Sequence, residues 1–328
     1  MYVVTGGAGF IGSNIVKALE ARGLGPVAVV DWLDDDHKRG NLAKRKTVEV
    51  VAPESLADFL KANAGAIRGV VHMGAISATT ETRLVRIIKN NIVLSRHLWE
   101  RCAERGVPLI YASSAATYGD GALGFDDDGR IAALKALKPL NMYGWSKNQF
   151  DIWVAEQVAT GRPVPPQWAG LKFFNVYGPN EYHKGRMQSV ARQVYAKAAA
   201  GETCTLFQSH RPDYPDGGQM RDFVWVGDCV AQVLWLLDNP GVSGLFNSGS
   251  GKARSFADLA AAVYRALGQE PRIAFVPTPE DIRDKYQYFT EARMDRARAA
   301  GFTRPATELE DGVTRYVQDF LAQPDPYL

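Results

Sequence analysis

A chain of 328 residues, 46% hydrophobic and 23% charged, can bury the core of an α/β domain plus a smaller lobe and is neither disordered nor fibrous. Its 38 basic and 36 acidic residues leave a net charge of +2 without a long basic block, which argues against nucleic acid or an anionic membrane as partner and leaves a small anionic ligand compatible. Cys102, Cys204 and Cys229 are widely spaced, with no Cys-x-x-Cys pair and no clustered histidines, so neither a disulfide scaffold nor a metal site is expected.

No cationic leader precedes the first apolar run and no run is long enough to span a bilayer, which makes a soluble, cytoplasmic protein the expectation. The chain opens on a strand, Val3-Val4-Thr5, that stops at Gly6-Gly7-Ala8-Gly9-Phe10-Ile11-Gly12 and passes into a helical pattern through Ile15, Val16 and Leu19. This is the arrangement of a dinucleotide turn. A first glycine allows the tight turn, Gly9 leaves room for a pyrophosphate, and Gly12 lets the helix lie close to the sheet. The anion then sits at a helix N-terminus, where free N–H groups favour negative charge. Gly6, Gly9, Phe10, Ile11 and Gly12 are therefore candidate cofactor contacts. A second strand, Val27–Val30, ends in Asp31, placed to accept from ribose hydroxyls as in NAD sites, whereas Lys38 and Arg39 in the following loop would neutralise the 2′-phosphate of NADP. Trp32 lies in the same loop.

Further along, a strand at Val48–Val51, a helix from Pro53 to about Ala62 and a buried strand Val70-Val71-His72-Met73 continue the alternation. Met73, Gly74, Ala75, Ile76 and Ser77 form another small-residue turn at a strand's carboxyl end, on the cofactor side of an open parallel sheet. A helix is expected over roughly 82–105; its Asn90-Asn91 pair is either a surface feature or a support for a loop over the cofactor. The strand Pro108–Ala112 delivers Ser113, Ser114 and Thr117 to the same edge. After an acidic, Gly-rich stretch at 120–139, Leu140-Asn141-Met142-Tyr143 starts a helix to about Val158, and Lys147 falls one turn after Tyr143 on the same face.

The alternation specifies an α/β fold with a Rossmann-type, doubly wound parallel sheet. Residues 1–174 form the dinucleotide-binding domain, to which about 222–247 return, and 175–328 form mainly a smaller, mixed α/β substrate lobe. Within the lobe, helices are expected over 187–200, 228–237, 255–267 with Ser255 and Asp258 as a capping pair, 291–300 and 307–321, a strand over 221–226, and a loop over 209–219.

Tyr143, Lys147 and Ser114 form a proton-transfer set for alcohol–ketone interconversion. A free phenol, with a pKa of about 10, is a poor base near neutrality. Lowering it by roughly 3 units takes about 4 kcal/mol, within reach of a nearby ammonium together with a positive nicotinamide ring. Lys147 would be that ammonium, and Ser114 would steady the substrate oxygen.

The runs Thr5–Gly12, Ala112–Gly119 and Tyr143–Lys147 together resemble the extended short-chain dehydrogenase/reductases that act on nucleotide sugars. Among these, Phe174–Gly185 with its His183-Lys184-Gly185, Arg221–Val224 and Tyr286–Thr290 resemble the ADP-glyceromanno-heptose 6-epimerases, over nearly the whole chain. The resemblance implies bound NADP, with NAD the alternative, transient oxidation at C6 of an ADP-heptose without net redox, and Tyr143 and Lys184 as two alternative acid/base groups. It implies cofactor contacts that include Asn90, Val176 and Lys184. It places Ser114, Asn175, Arg186, Gln193, Phe207, Gln208, Ser209, His210, Arg221 and Tyr286 at the substrate, where Arg221 suits a diphosphate. It also implies a homo-oligomer, a pentamer, making heptose for lipopolysaccharide inner core. Three positions depart from the pattern: Arg186 replaces a small residue, Gln193 a histidine, and Pro53 a lysine that can help hold the cofactor phosphate. The competing readings are a UDP-hexose 4-epimerase, a net sugar-nucleotide reductase and a catalytically silent dinucleotide sensor. A 4,6-dehydratase would want an Asp-Glu pair where Ala115 and Ala116 stand.

Overall fold

The computed structural model describes residues 1–46, 48–283 and 286–328. Its strands, in chain order, are β1 (Tyr2–Thr5), β2 (Val27–Val30), β3 (Val48–Val51), β4 (Gly69–His72), β5 (Leu109–Ser114), β6 (Trp168–Phe173), β7 (Asn175–Tyr177), β8 (Cys204–Phe207), β9 (Met220–Trp225), β10 (Gly244–Ser248), β11 (Ala253–Ser255) and β12 (Ile273–Val276). Seven of them form one parallel sheet in the order β10-β6-β5-β4-β1-β2-β3. Val3 and Val4 are fully buried although they point to opposite faces, as expected of parallel strands covered by helices on both sides. One face is packed by Ile15, Val16 and Leu19 of helix Phe10–Ala21 and by Cys229 and Val233 of helix Val226–Asp238. The other is packed by Leu98, Trp99 and Cys102 of helix Leu94–Arg105 and by Phe150 and Val154 of helix Met142–Ala159. The strand order reverses between β1 and β4, which opens a crevice outside their carboxyl ends.

After β6 the chain enters a second layer through β7. There β11-β9-β7 form a small sheet, and β12 and β8 form a parallel pair. Its own core gathers Tyr177, Leu259, Val263, Tyr264, Val313 and Tyr316. Helix Val226–Asp238 and β10 then rejoin the large sheet, β10 pairing with β6. The expected Ser255 capping box is present, with Ser255 and Asp258 each accepting from the other's backbone N–H.

Several expected boundaries move, each for a local reason. The helix expected over 82–105 begins at Leu84 and passes through a π-helical segment, Ile88–Val93. The one expected over 187–200 begins at Val190, because Ser189 accepts the Arg192 N–H as its cap and the preceding Tyr182–Met187 is a 3₁₀ segment. Helices 291–300 and 307–321 shorten to Asp295–Ala299 and to Leu309–Tyr316, the latter ending in a π-helical turn. The acidic stretch at 120–139 holds a short helix, Ile131–Ala136. Strands β8 and β12 carry no sequence signal, being four-residue runs of which β12 is mostly exposed.

A buried ion pair fastens β6 to the Tyr143 helix. Lys172 Nζ lies 2.9 Å from Asp151 Oδ2, and both side chains are almost wholly buried. Lys172 also donates to Thr117 Oγ1 at 2.8 Å, and Asp151 accepts from Ser113 Oγ at 2.6 Å and from Tyr111 at 3.2 Å. Removing one partner leaves the other charge uncompensated in the core. Lys172→Met should therefore cost about 3–5 kcal/mol of unfolding free energy. The double variant Lys172→Met with Asp151→Leu should recover part of that loss in urea-unfolding measurements, and a double variant no better than the single one would refute this account.

Candidate active site

The crevice is built first by backbone packing. Gly6 has φ +65, and a Cβ there would lie 2.6 Å from Gly74 N, so the turns after β1 and β4 touch main chain to main chain. A Cβ on Gly12 would fall 2.1 Å from Gly6 O, which keeps the following helix against the turn. Gly9 caps that helix without any side-chain hydrogen bond, so no carboxylate or hydroxyl of the cap itself competes for the first-turn N–H groups. These features fit the phosphates of a dinucleotide.

At the ribose end, Asp31 Oδ2 accepts the Ala8 N–H at 3.1 Å while its Oδ1 pairs with Lys38 Nζ at 3.1 Å. Lys38 also reaches Trp32 O at 3.2 Å and Asp34 at 3.4 Å. The two charges that argue for NAD and for NADP are thus neighbours in one ion pair. Arg39 turns away to Asp36 and Leu33 O. Trp32 donates from Nε1 to Glu54 at 2.8 Å, and Pro53 opens the 3₁₀ turn that carries Glu54.

A line of buried polar groups, which sequence reading missed, connects this turn to the Tyr143 helix. Gly74 N–H donates to Thr5 Oγ1 at 3.1 Å, leaving the Thr5 hydroxyl to donate to His72 Nδ1 at 2.5 Å. His72 Nε2 then donates to Ser95 Oγ at 2.9 Å, and Ser95 donates to Asn91 O at 2.7 Å. Asn91 accepts from Ile76 N–H at 2.8 Å and donates to Ile76 O at 3.0 Å and to Ser146 Oγ at 3.0 Å. Ser146 in turn donates to Tyr143 O at 2.7 Å. Of the asparagine pair, Asn91 carries the loop contact and Asn90 donates to Arg86 O within its own helix at 2.8 Å. Met73 N–H bonds Thr5 O, Gly74, Ala75 and Ile76 are partly buried, and Ser77 is exposed. The sequence signals for this line are the histidine in the apolar run of β4 and the Asn90-Asn91 pair.

Ser114 ends β5, and its hydroxyl is a hydrogen-bond partner of the Tyr143 phenol. Burial holds that phenol above its ordinary value, against the pull of the Ser114 hydrogen bond. Lys147 is buried and donates from Nζ to Ala112 O at 2.8 Å. Burial lowers its pKa to about 8, opposed by the Asp151 carboxylate. Burial thus works against the charged form of both groups, which makes each responsive to a charge placed between them.

Lys184 arrives from the other layer. Its loop is bolted to the dinucleotide domain: Asn14 donates to Pro179 O at 3.0 Å, Asn41 to Asn180 O at 3.0 Å, and Asn180 to Ser13 Oγ at 3.0 Å. The buried Glu181 carboxylate accepts from Ser189 N–H, from Ser189 Oγ at 2.6 Å and from Tyr316 at 2.8 Å. Lys184 Nζ then lies 5.4 Å from the centre of the Phe10 ring, beside the dinucleotide turn, and burial lowers its pKa against the Glu181 charge.

The residues expected at the substrate divide. Arg221, on β9, is buried with its guanidinium 5.6 Å from the Tyr286 ring, which also meets Phe207 at 5.9 Å and His210 at 6.4 Å. His210 N–H and Ser209 Oγ both contact Tyr288 OH, at 2.9 and 3.4 Å. Gln208 bonds through its backbone to Val276 and Thr278. Asn175 and Val176 lie on β7, the first exposed. Gln193 bonds Gln188 O at 2.8 Å and Arg186 is exposed.

Residues 2–249 match the NAD dependent epimerase/dehydratase family. The chain belongs to that family. Among curated members, it is 52% identical over 330 residues, and over the full length of both chains, to a protein of Nitratidesulfovibrio vulgaris (strain DP4) named ADP-L-glycero-D-manno-heptose-6-epimerase. A Fusobacterium nucleatum protein of the same name is 45% identical over 336 residues, again over both full lengths. The solved ADP-L-glycero-D-manno-heptose-6-epimerase of Helicobacter pylori superposes with a TM-score of 0.81 at 26% identity, covering 97% of this chain and 95% of its own. The UDP-glucose 4-epimerase of Thermus thermophilus, solved as a complex with NAD, gives 0.72 at 28% identity, covering 96% and 97%.

In this epimerase/dehydratase family member, burial above all, with the Lys147 charge, pushes His72 down to about 3. Because the unfolded ring titrates near 6.5, the unfolded state takes up the proton first, so stability is full above that value and is lost as pH falls toward 3. Between pH 7 and 5 the wild type should lose about 2 kcal/mol more stability than His72→Gln, measured by urea unfolding at each pH. Equal losses would place the acid sensitivity elsewhere.

Proposed function

We propose that the protein is a nucleotide-sugar epimerase that inverts C6 of ADP-glyceromanno-heptose while keeping one NADP bound. The observation that carries the reading is that two partly buried acid/base groups come from different layers of the molecule, Tyr143 beside Ser114 at the end of β5 and Lys184 beside Phe10 of the dinucleotide turn. A single proton-transfer group suffices for a dehydrogenase; a second one serves an inversion in which the C6 oxygen moves to a new place. The names of the full-length relatives support the heptose substrate.

A bound nicotinamide supplies reversible hydride acceptance at C6. Everything else falls to side chains. Tyr143, hydrogen-bonded to Ser114 and one turn from Lys147, takes or returns the proton of the C6 hydroxyl in one epimer. The carbonyl formed at C6 is planar, and its other face is presented only when the C6 end rotates and carries its oxygen away from Tyr143. Lys184, with its pKa lowered by burial, serves that second position. Arg221, beside the Tyr286 ring that Phe207 and His210 in turn meet, suits the diphosphate of the nucleotide. Lys38 is the 2′-phosphate partner, exchanging its pairing with Asp31 for the phosphate. The product would feed the heptose of lipopolysaccharide inner core.

Tyr143→Phe and Lys184→Met should each slow interconversion by roughly 10²-fold or more. Each should still allow one epimer, a different one in each variant, to reduce the bound cofactor transiently, followed by nicotinamide absorbance after rapid mixing. If Lys184→Met only raises the substrate concentration needed and leaves saturated turnover intact, the second base is elsewhere. In cofactor titrations, Lys38→Ala should weaken NADP far more than NAD; equal weakening would remove Lys38 from the 2′-phosphate.

A further inference from the structure

One buried ring nitrogen beside the crevice has no partner. His183 Nδ1 is closed to solvent and meets no donor or acceptor among the described residues, although buried polar atoms are nearly always paired. The Nε2 of the same ring stands 4.0 Å from the place a Cβ on Gly9 would occupy. Gly9 is the glycine whose missing side chain leaves the main chain bare for a pyrophosphate. An orphaned N–H is rarer than an orphaned lone pair, and no acceptor lies at Nδ1, so the neutral ring carries its proton on Nε2, facing Gly9.

The charged and titratable groups around the ring are Lys38, Asp35 and His37 from the ribose side and Lys184 from its own segment. Burial first, then the two lysines, holds its pKa down to about 4, so the ring is uncharged at neutrality. Its place is set by neighbours in the chain. Asn180, with φ +74, and Glu181 are pinned to the dinucleotide domain and to Ser189 as described, and they carry the Tyr182–Met187 segment across the turn.

We infer that His183 is a ligand of the cofactor's pyrophosphate, donating from Nε2 across the turn from the first-turn N–H groups of helix Phe10–Ala21, so that the second layer clamps the dinucleotide in place. The inference rests on the dinucleotide reading of the turn. It assigns the pyrophosphate and not the 2′-phosphate, because Gly9 marks the former and the Asp31–Lys38 pair the latter. It gives a physical basis for a cofactor that stays bound through turnover, since release would require a loop bolted at three asparagines to move.

The test uses full-length protein freed of nucleotide, with binding measured by calorimetry at neutral pH. Probes are ADP-ribose, which carries the pyrophosphate, and 2′-AMP, which carries only the adenosine 2′-phosphate. His183→Ala should weaken ADP-ribose by roughly tenfold or more, the worth of a hydrogen bond to a charged group, and leave 2′-AMP unchanged. His183→Gln, which keeps a neutral N–H donor, should restore part of the affinity and carries the comparison if the alanine variant fails to fold. Equal ADP-ribose binding by wild type and variants overturns the inference, as does a loss shared equally by 2′-AMP. A wild type that binds neither probe would instead overturn the dinucleotide reading itself.

Discussion

The main-chain contact between Gly6 and Gly74 is the constraint on which the site depends. The turns after β1 and β4 diverge to opposite sides of the sheet, yet they must lie close enough to present one continuous edge to a ligand. Two residues without side chains let the backbones touch, and the Gly74 N–H to Thr5 hydrogen bond fixes the separation. From Thr5 the same contact is handed on through His72, Ser95 and Asn91 to Ser146 beneath Tyr143. Every member of that line both donates and accepts, so the phosphate turn and the reacting helix are held in one geometry without a charged group between them.

Burial then sets the chemistry. Placing Tyr143, Lys147 and Lys184 out of water disfavours the charged form of each, raising the phenol and lowering both ammonium groups. Groups poised in this way change protonation readily when a positive ring or a developing oxyanion arrives. The nearby Asp151 carboxylate is paired locally: it lies 2.9 Å from Lys172 Nζ and accepts from Ser113 and Tyr111. Lys147 Nζ, one turn before Asp151 on the same helix, instead donates to Ala112 O at 2.8 Å.

The Pro179–Asn180 segment of the second layer is joined to the first by side-chain amides. Asn14, Asn41 and Asn180 bridge the Pro179–Asn180 backbone to helices Phe10–Ala21 and Asp36–Leu42. Directional bonds of this kind place Lys184 and His183 more exactly in orientation than an interface of interchangeable hydrophobic side chains would.

The sequence alone determined the parallel sheet, the turn at Gly6–Gly12, the Tyr143/Lys147 pair with Ser114, and the capping of helix Phe256–Ala266. Each of these is written in neighbouring residues: a period of two or 3.6, a glycine at a fixed offset, a serine three residues before an aspartate. Only the tertiary structure decided which asparagine of the pair supports the loop, that Asp31 and Lys38 share one ion pair, that Arg39 turns away, and that β8 pairs with β12 although the two lie far apart in the chain. It alone brought Lys184 to Phe10 and His183 to Gly9. Local pattern fixes what a segment becomes because its cause is the backbone's own period. Which distant segments meet, and what burial then does to their protons, depends on how the finished elements pack, and no short window of sequence contains that information.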